Sequence, residues 1–109
     1  MTYNVTCTVY AVFGVEKIVD AYGDFDTIVQ ARRFAFKELN KKRFVKNYAI
    51  FSVNGSMRGF VRYNYKIKDF VYVSVPSDKQ YYFSSDGVVD KYREVLPKDR
   101  QKFTFTHWM

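Results

Sequence analysis

Residues 48–65 read YAIFSVNGSMRGFVRYNY, and this stretch decides the fold. Ala49, Phe51 and Val53 alternate with Tyr48 and Ile50. Period-two patterning of aromatic and β-branched residues specifies a half-buried strand. Asn54-Gly55 follows at once. A type I′ turn needs φ > 0 at both central positions, and Asn-Gly supplies it most readily. Residues 57–65 then return as the partner strand. An antiparallel hairpin is expected at the centre of the chain.

Upstream, residues 3–13 alternate too, with Tyr3, Val5, Cys7, Val9, Ala11 and Phe13 on one face. Gly14 turns the chain, and residues 17–22 come back as a second strand. A helix is expected to start at Asp26 or Thr27, since Thr27-Ile28-Val29-Gln30 fits a capping box. Ile28, Ala31, Ala35 and Leu39 share one stripe of that helix, flanked by Val29 and Phe36. Arg32 falls on the apolar side, where it must snorkel or pair with an acid. Phe34 falls towards the polar side, as a contact candidate.

Downstream, residues 69–75 and 80–83 read as strands. Val88, Val89, Tyr92, Val95 and Leu96 suggest a short helix from about residue 87 to residue 96, stopped by Pro97. Residues 102–108 alternate as a last strand. The order is β-β-α-β-β-β-(β)-α-β. This is a single α+β domain over residues 1–109. A mainly antiparallel sheet of about five to seven strands packs one face on the long helix, with the short helix near the C-terminus.

Composition agrees. Ten Tyr, eleven Phe and fifteen Val stand against two Leu, a bias towards pleated surfaces. Cys7 has no internal disulfide partner. No leader pattern opens the chain and no apolar run reaches ~18 residues, so a cytoplasmic protein without a membrane anchor is expected.

The charge is unevenly spread. Residues 27–68 hold eleven of the eighteen Lys and Arg and one of the eleven acids, Glu38, for a net +10. Such asymmetry points to a polyanionic or acidic partner. Arg33, Lys37 and Lys41 line one side of the helix at i, i+4, i+8, and Lys41, Lys42, Arg43 and Lys46 cluster at its end. Cations there also complement the helix dipole, which explains some of them without a ligand.

In the strand after the Asn-Gly turn, Met57, Gly59, Val61, Tyr63 and Tyr65 take one side, where Val71, Val73 and Val75 are expected to match them. The other side carries Arg58, Phe60, Arg62, Asn64 and Lys66, with Lys68, Phe70 and Tyr72 nearby. Cations interleaved with rings suit single-stranded nucleic acid, the cations tracking phosphates and the rings stacking on bases. The structural alternative is that part of this face is covered and the arginines only rim it.

Arg58-Gly59-Phe60-Val61-Arg62-Tyr63 resembles a shortened form of the octapeptide of RNA-recognition motifs, two middle residues being missing. The resemblance covers six residues and implies a stacking role for Phe60 on an open sheet face.

Enzyme constellations are thin. His107 is the sole histidine and has no partner at a telling spacing; Cys7 reads as a small buried hydrophobe. No Gly-rich phosphate loop or clustered metal ligands occur, so no catalysis, metal, cofactor or small-molecule substrate is expected. Asp20, Asp24 and Asp26 group near the helix start, where Asp26 is better used as a cap.

The expected function is a non-enzymatic binding protein for nucleic acid or a nucleoprotein. Its contact residues are Arg58, Phe60, Arg62, Lys66, Lys68, Arg33, Lys37, Lys41, Lys42, Arg43 and Lys46. The alternative is a protein–protein interaction module or inhibitor docking on an acidic surface of a larger host protein. The chain's richness in Phe, Tyr, Lys and Val is reminiscent of small phage proteins that work this way.

Overall fold

Alternation along the strands is realised as one six-stranded antiparallel sheet with a helix across one face. The structure is a computed structural model that describes residues 4–41, 44–75, 77–83 and 93–103. The elements are β1 (Val5–Phe13), β2 (Glu16–Phe25), α1 (Ile28–Lys41), β3 (Tyr48–Val53), β4 (Ser56–Asn64), β5 (Asp69–Ser74) and β6 (Gln80–Tyr82). A 3-10 turn, Pro97–Asp99, follows. The sheet order is β2-β1-β3-β4-β5-β6.

The local signals explain how these elements form. Asn54 and Gly55 sit at φ 50° and 87°, as the tight β3–β4 hairpin requires. The Asn54 side chain also accepts from the backbone N–H of Asn4, at 3.0 Å, which ties the turn to the start of β1. At the start of α1 the capping box closes. The Gln30 backbone N–H donates to Thr27 Oγ1 at 3.2 Å, and the Thr27 N–H donates to Gln30 Oε1 at 3.2 Å.

One core lies between α1 and the sheet. Ala31, Ala35 and Leu39 meet Val5, Cys7 and Val9 of β1, Ala49 and Phe51 of β3, Val61 of β4, and Phe70 and Tyr72 of β5. The two alanines are fully buried; with no side chain beyond Cβ, they let the helix lie close to the strands. Arg32 resolves its conflict through an aromatic ring, with its guanidinium carbon 4.3 Å from the Tyr72 ring centroid. Phe34, expected on the polar side, is half-buried against Phe25 instead, their centroids 5.2 Å apart.

Gly59 owes its identity to the same tyrosine. A Cβ at this position would collide with the Tyr72 ring and hydroxyl, so the ring lies over bare backbone.

The opposite sheet face is covered over β3 to β5, while Val19 and Tyr22 of β2 stay exposed. Tyr48, Phe60, Val71 and Val73 are buried there beneath Val95 and Phe103 of the C-terminal segment. A polar network fastens that segment. The buried Asn64 carboxamide donates from Nδ2 to Gln80 Oε1 at 3.1 Å and to the Asp99 carbonyl at 2.9 Å. Its Oδ1 accepts from the Lys66 N–H at 2.8 Å. Gln80 Nε2 donates to the Gln101 carbonyl, and the Tyr65 N–H donates to Gln101 Oε1, both at 2.6 Å. An Arg100–Glu94 ion pair at 2.7 Å closes the segment on itself.

Three expectations need correction. The valines of β5 do not share a face with Val61 and Tyr63. Val61 pairs with Tyr72 and Tyr63 with Phe70, while Phe60 pairs with Val73 and Arg62 with Val71. Residues 65–68 form a turn that sets Asn64 opposite Asp69, and a one-residue difference in such a turn flips every side chain. The short helix from about residue 87 to 96 falls largely outside the described residues. Where it is described, Arg93 is in 3-10 conformation, but Glu94 forms a bridge with Tyr81 and the Val95 N–H donates to the Gln80 carbonyl, so residues 94–96 are not helical. Of the last expected strand, Lys102 and Phe103 belong to no strand, and residues 104–108 lie outside the described residues.

Replacing Asn64 by Leu would strand the Gln80 amide, the Asp99 carbonyl and the Lys66 N–H. The expected cost is about 3 kcal/mol, because each buried polar group left unpaired costs ~1–3 kcal/mol. Urea unfolding followed by circular dichroism measures it; a loss under about 0.5 kcal/mol would mean that the network fastens nothing.

Candidate functional site

Strand register sorts the cations into groups. β2 ends at Phe25, opposite Val5, and β3 begins at Tyr48, opposite Tyr10. The helix that joins them therefore runs from the Val5 end of the sheet to the Tyr10 end. Ala49 pairs with Val61, so the turn after Asn64 also lies at the Tyr10 end. That end thus gathers the C-terminal half of α1, residues 44–47, the turn 65–68 and the tip of the β1–β2 hairpin.

The cations expected in the site divide accordingly. Arg33, Lys37 and Lys41 are exposed on the outer side of α1, and the last two stand towards the Tyr10 end. Lys46, Lys66 and Lys68 are exposed in the two loops of that end. Lys41 also reaches Glu38 at 3.0 Å, a solvent-screened pair that holds it only weakly. Lys42 and Arg43 lie outside the described residues.

The other three residues do not join this group. Arg58 is the extra residue of a bulge, because Phe51 pairs with Gly59 and Ser52 with Met57. The bulge turns it to the helix side of the sheet, where it borders a shallow depression with Ile28, Val53 and Tyr72. It stands at the Val5 end, roughly 25 Å along β4 from Lys66 by strand rise. Phe60 is 1% exposed, packed edge-on against Phe103 with centroids 5.8 Å apart. Base stacking is closed to it. Arg62 points to the same covered face, its guanidinium carbon 5.3 Å from the Tyr48 centroid and 5.8 Å from that of Phe103. Burial pushes its pKa below the ordinary arginine value, and the neighbouring Tyr48 offsets part of that. Arg62 is thus a part-buried residue between two rings.

The basic end carries a feature the residue pattern does not announce. Phe13, Val15 and Ile18 on the β1–β2 hairpin, Phe44 and Val45 after α1, and Tyr65 after β4 are all exposed. The cause is geometric. β3 covers β1 only up to Tyr10, so the hairpin tip overhangs the sheet and its apolar side chains reach solvent. Phe13, expected at the end of a dry face, is among them. The signal in the sequence is Phe13-Gly14-Val15, large apolar residues on both sides of a turn glycine, and Phe44-Val45 set among cations.

Among the described residues, groups with reaction chemistry are sparse. Cys7 is fully buried, and desolvation, with a smaller contribution from Glu38, pushes its thiol from 9.0 up to about 12. It is neutral and inaccessible, the opposite of a nucleophile. His107 lies outside the described residues. Among the described residues no three His, Cys, Asp or Glu side chains come together to hold a metal. Asp24 and Asp26 border a shallow depression with Asn4 and Gln30, at the end opposite the lysines. No helix among the described residues is long and apolar enough to cross a membrane.

No protein-family model matches this sequence, and comparisons with curated proteins and with solved structures gave no match.

The contrast between the two phenylalanines is measurable. Phe60→Ala should cost about 3–4 kcal/mol of unfolding free energy, as a large buried ring replaced by a cavity. Phe44→Ala should change stability by less than about 0.5 kcal/mol. Chemical denaturation of both variants checks this; equal costs would contradict the covered face.

Proposed function

We propose that this protein is a non-enzymatic binding module whose basic surface engages a polyanion, with nucleic acid or a nucleoprotein as the partner. The surface runs along the outer side of α1 through Arg33, Lys37 and Lys41 and over the adjoining end through Lys46, Lys66 and Lys68.

One observation carries the reading. These six cations are all exposed and share one side and one end of the molecule. Successive cations of the helix stand about 6 Å apart along its axis, a ladder that a phosphate backbone can follow. Phosphate neutralisation with counterion release then supplies the affinity, and it needs no base recognition. Phe44 and Tyr65, exposed beside Lys46 and Lys66, take the stacking role that the buried Phe60 cannot fill.

Fluorescence anisotropy with a labelled single-stranded oligonucleotide at several salt concentrations tests the reading. Lys37→Glu with Lys41→Glu should weaken binding tenfold or more. The double variant should also flatten the log–log salt slope by about 1.4, at ~0.7 for each phosphate that is no longer neutralised. Arg58→Ala, at the far end, should change affinity less than about twofold, within ~0.4 kcal/mol. Salt-insensitive binding, or a larger effect from Arg58 than from the helix pair, would refute this surface.

A further inference from the structure

The hairpin overhang calls for a different partner from the lysines. Six of the nine large apolar side chains that stand exposed among the described residues lie beyond the Tyr10–Tyr48 pair at one end of the sheet, with Val19 at its border. They are Phe13, Val15, Ile18, Phe44, Val45 and Tyr65. Val15, at the tip, is entirely open to solvent. Residues 13–20 are exposed without interruption, although they are paired as a regular ribbon over most of that length. A monomer gains nothing by gathering exposed apolar side chains at one end, and such a gathering marks an interaction site.

The chemistry of this end narrows the occupant. Val15, Ile18 and Val45 have no ring to stack on a base and no donor for a phosphate, so nucleic acid leaves them in water. A second copy of the chain would bring Lys46, Lys66 and Lys68 against their own duplicates, which like-charge repulsion opposes. An anionic headgroup layer is uniform and would repel the exposed Glu16 and Asp20 of the hairpin while attracting the lysines, whereas a protein rim can set its carboxylates against the lysines alone. A protein cleft answers all of these features. Its apolar floor takes Phe13, Val15 and Ile18, and carboxylates on its rim face the surrounding lysines. This is the usual division of an interface into a dry centre and a polar border.

We infer that the overhanging β1–β2 tip, together with Phe44 and Val45, docks into an apolar cleft bordered by carboxylates on a partner protein. This goes beyond the polyanion reading and gives a role to Phe13, Val15, Ile18 and Val45, which that reading leaves idle, while Phe44 lies where the two surfaces meet. A nucleoprotein would meet both surfaces, its nucleic acid on α1 and its protein on the tip.

Two labelled synthetic peptides of equal length and equal glutamate content serve as probes, one with leucines between the glutamates and one with serines. The Leu/Glu peptide should bind at least tenfold more tightly than the Ser/Glu peptide. Phe13→Ser with Val15→Ser should bring it down to the Ser/Glu level while leaving oligonucleotide affinity unchanged. Phe44→Ser, which leaves the hairpin intact, should produce the same direction of change. Equal binding of the two peptides, or no loss in either variant, overturns the inference. Co-sedimentation with phosphatidylserine-containing vesicles that disappears in the double variant also overturns it, by giving the tip to a lipid surface. Absence of oligonucleotide binding by the unaltered protein refutes the polyanion reading alone and leaves the peptide result to stand or fall by itself.

Discussion

The Asn64 carboxamide ties three separately formed pieces of this protein together. It sits at the last position of β4, fully buried, and spends both of its ends. The amide hydrogens hold Gln80 of β6 and the backbone of Asp99; the oxygen shapes the turn that leads into β5. A neutral carboxamide suits this place better than a charge. It has donors and acceptors on one planar group and carries no ionic desolvation penalty, while still being costly to leave unpaired. With Gln80 and Gln101 it presses the segment 94–103 onto the sheet.

That closure decides where contact with another molecule can occur. A six-stranded sheet with one helix has a second face that must be wet or covered. Here Val95 and Phe103 cover its β3–β5 part, so Phe60 becomes core and Arg62 lies between aromatic rings. Positive charge is left on the outer side of α1 and on the loops at one end. Part of it has a structural use, since cations in the last turn of a helix offset its dipole. The dipole accounts for Lys41 but not for Lys66 and Lys68, which belong to a turn between strands. The exposed apolar tip at the same end is likewise a consequence of topology, because β1 and β2 outrun β3.

The parts of the fold legible in the sequence are those set by near neighbours. The Asn-Gly turn, the Thr27–Gln30 box and the Ala31–Ala35–Leu39 stripe each depend on residues a few positions apart, and each forms as expected. The candidate site depends on longer reach. Which way Phe60 and Arg62 face β5 turns on the length of the turn 65–68, and the place of Arg58 on a bulge in β4. Neither alters the alternation visible along the strand. The cover over Phe60 comes from a segment 35 residues beyond Asn64 through hydrogen bonds between amides, which leave no periodic trace. The resemblance of residues 58–63 to an RNA-recognition octapeptide fails on the same point, since it presupposes an open face.

The most direct test follows backbone amide shifts of labelled protein during titration with a single-stranded oligonucleotide. The account predicts that the perturbed amides cluster in residues 33–46 and 65–68, with Gly59 to Tyr63 and Val71 to Val73 unmoved. Largest shifts at Phe60, Arg62, Val71 and Val73 would contradict it, because they would mean that the C-terminal segment gives way and the sheet face is the binding surface after all.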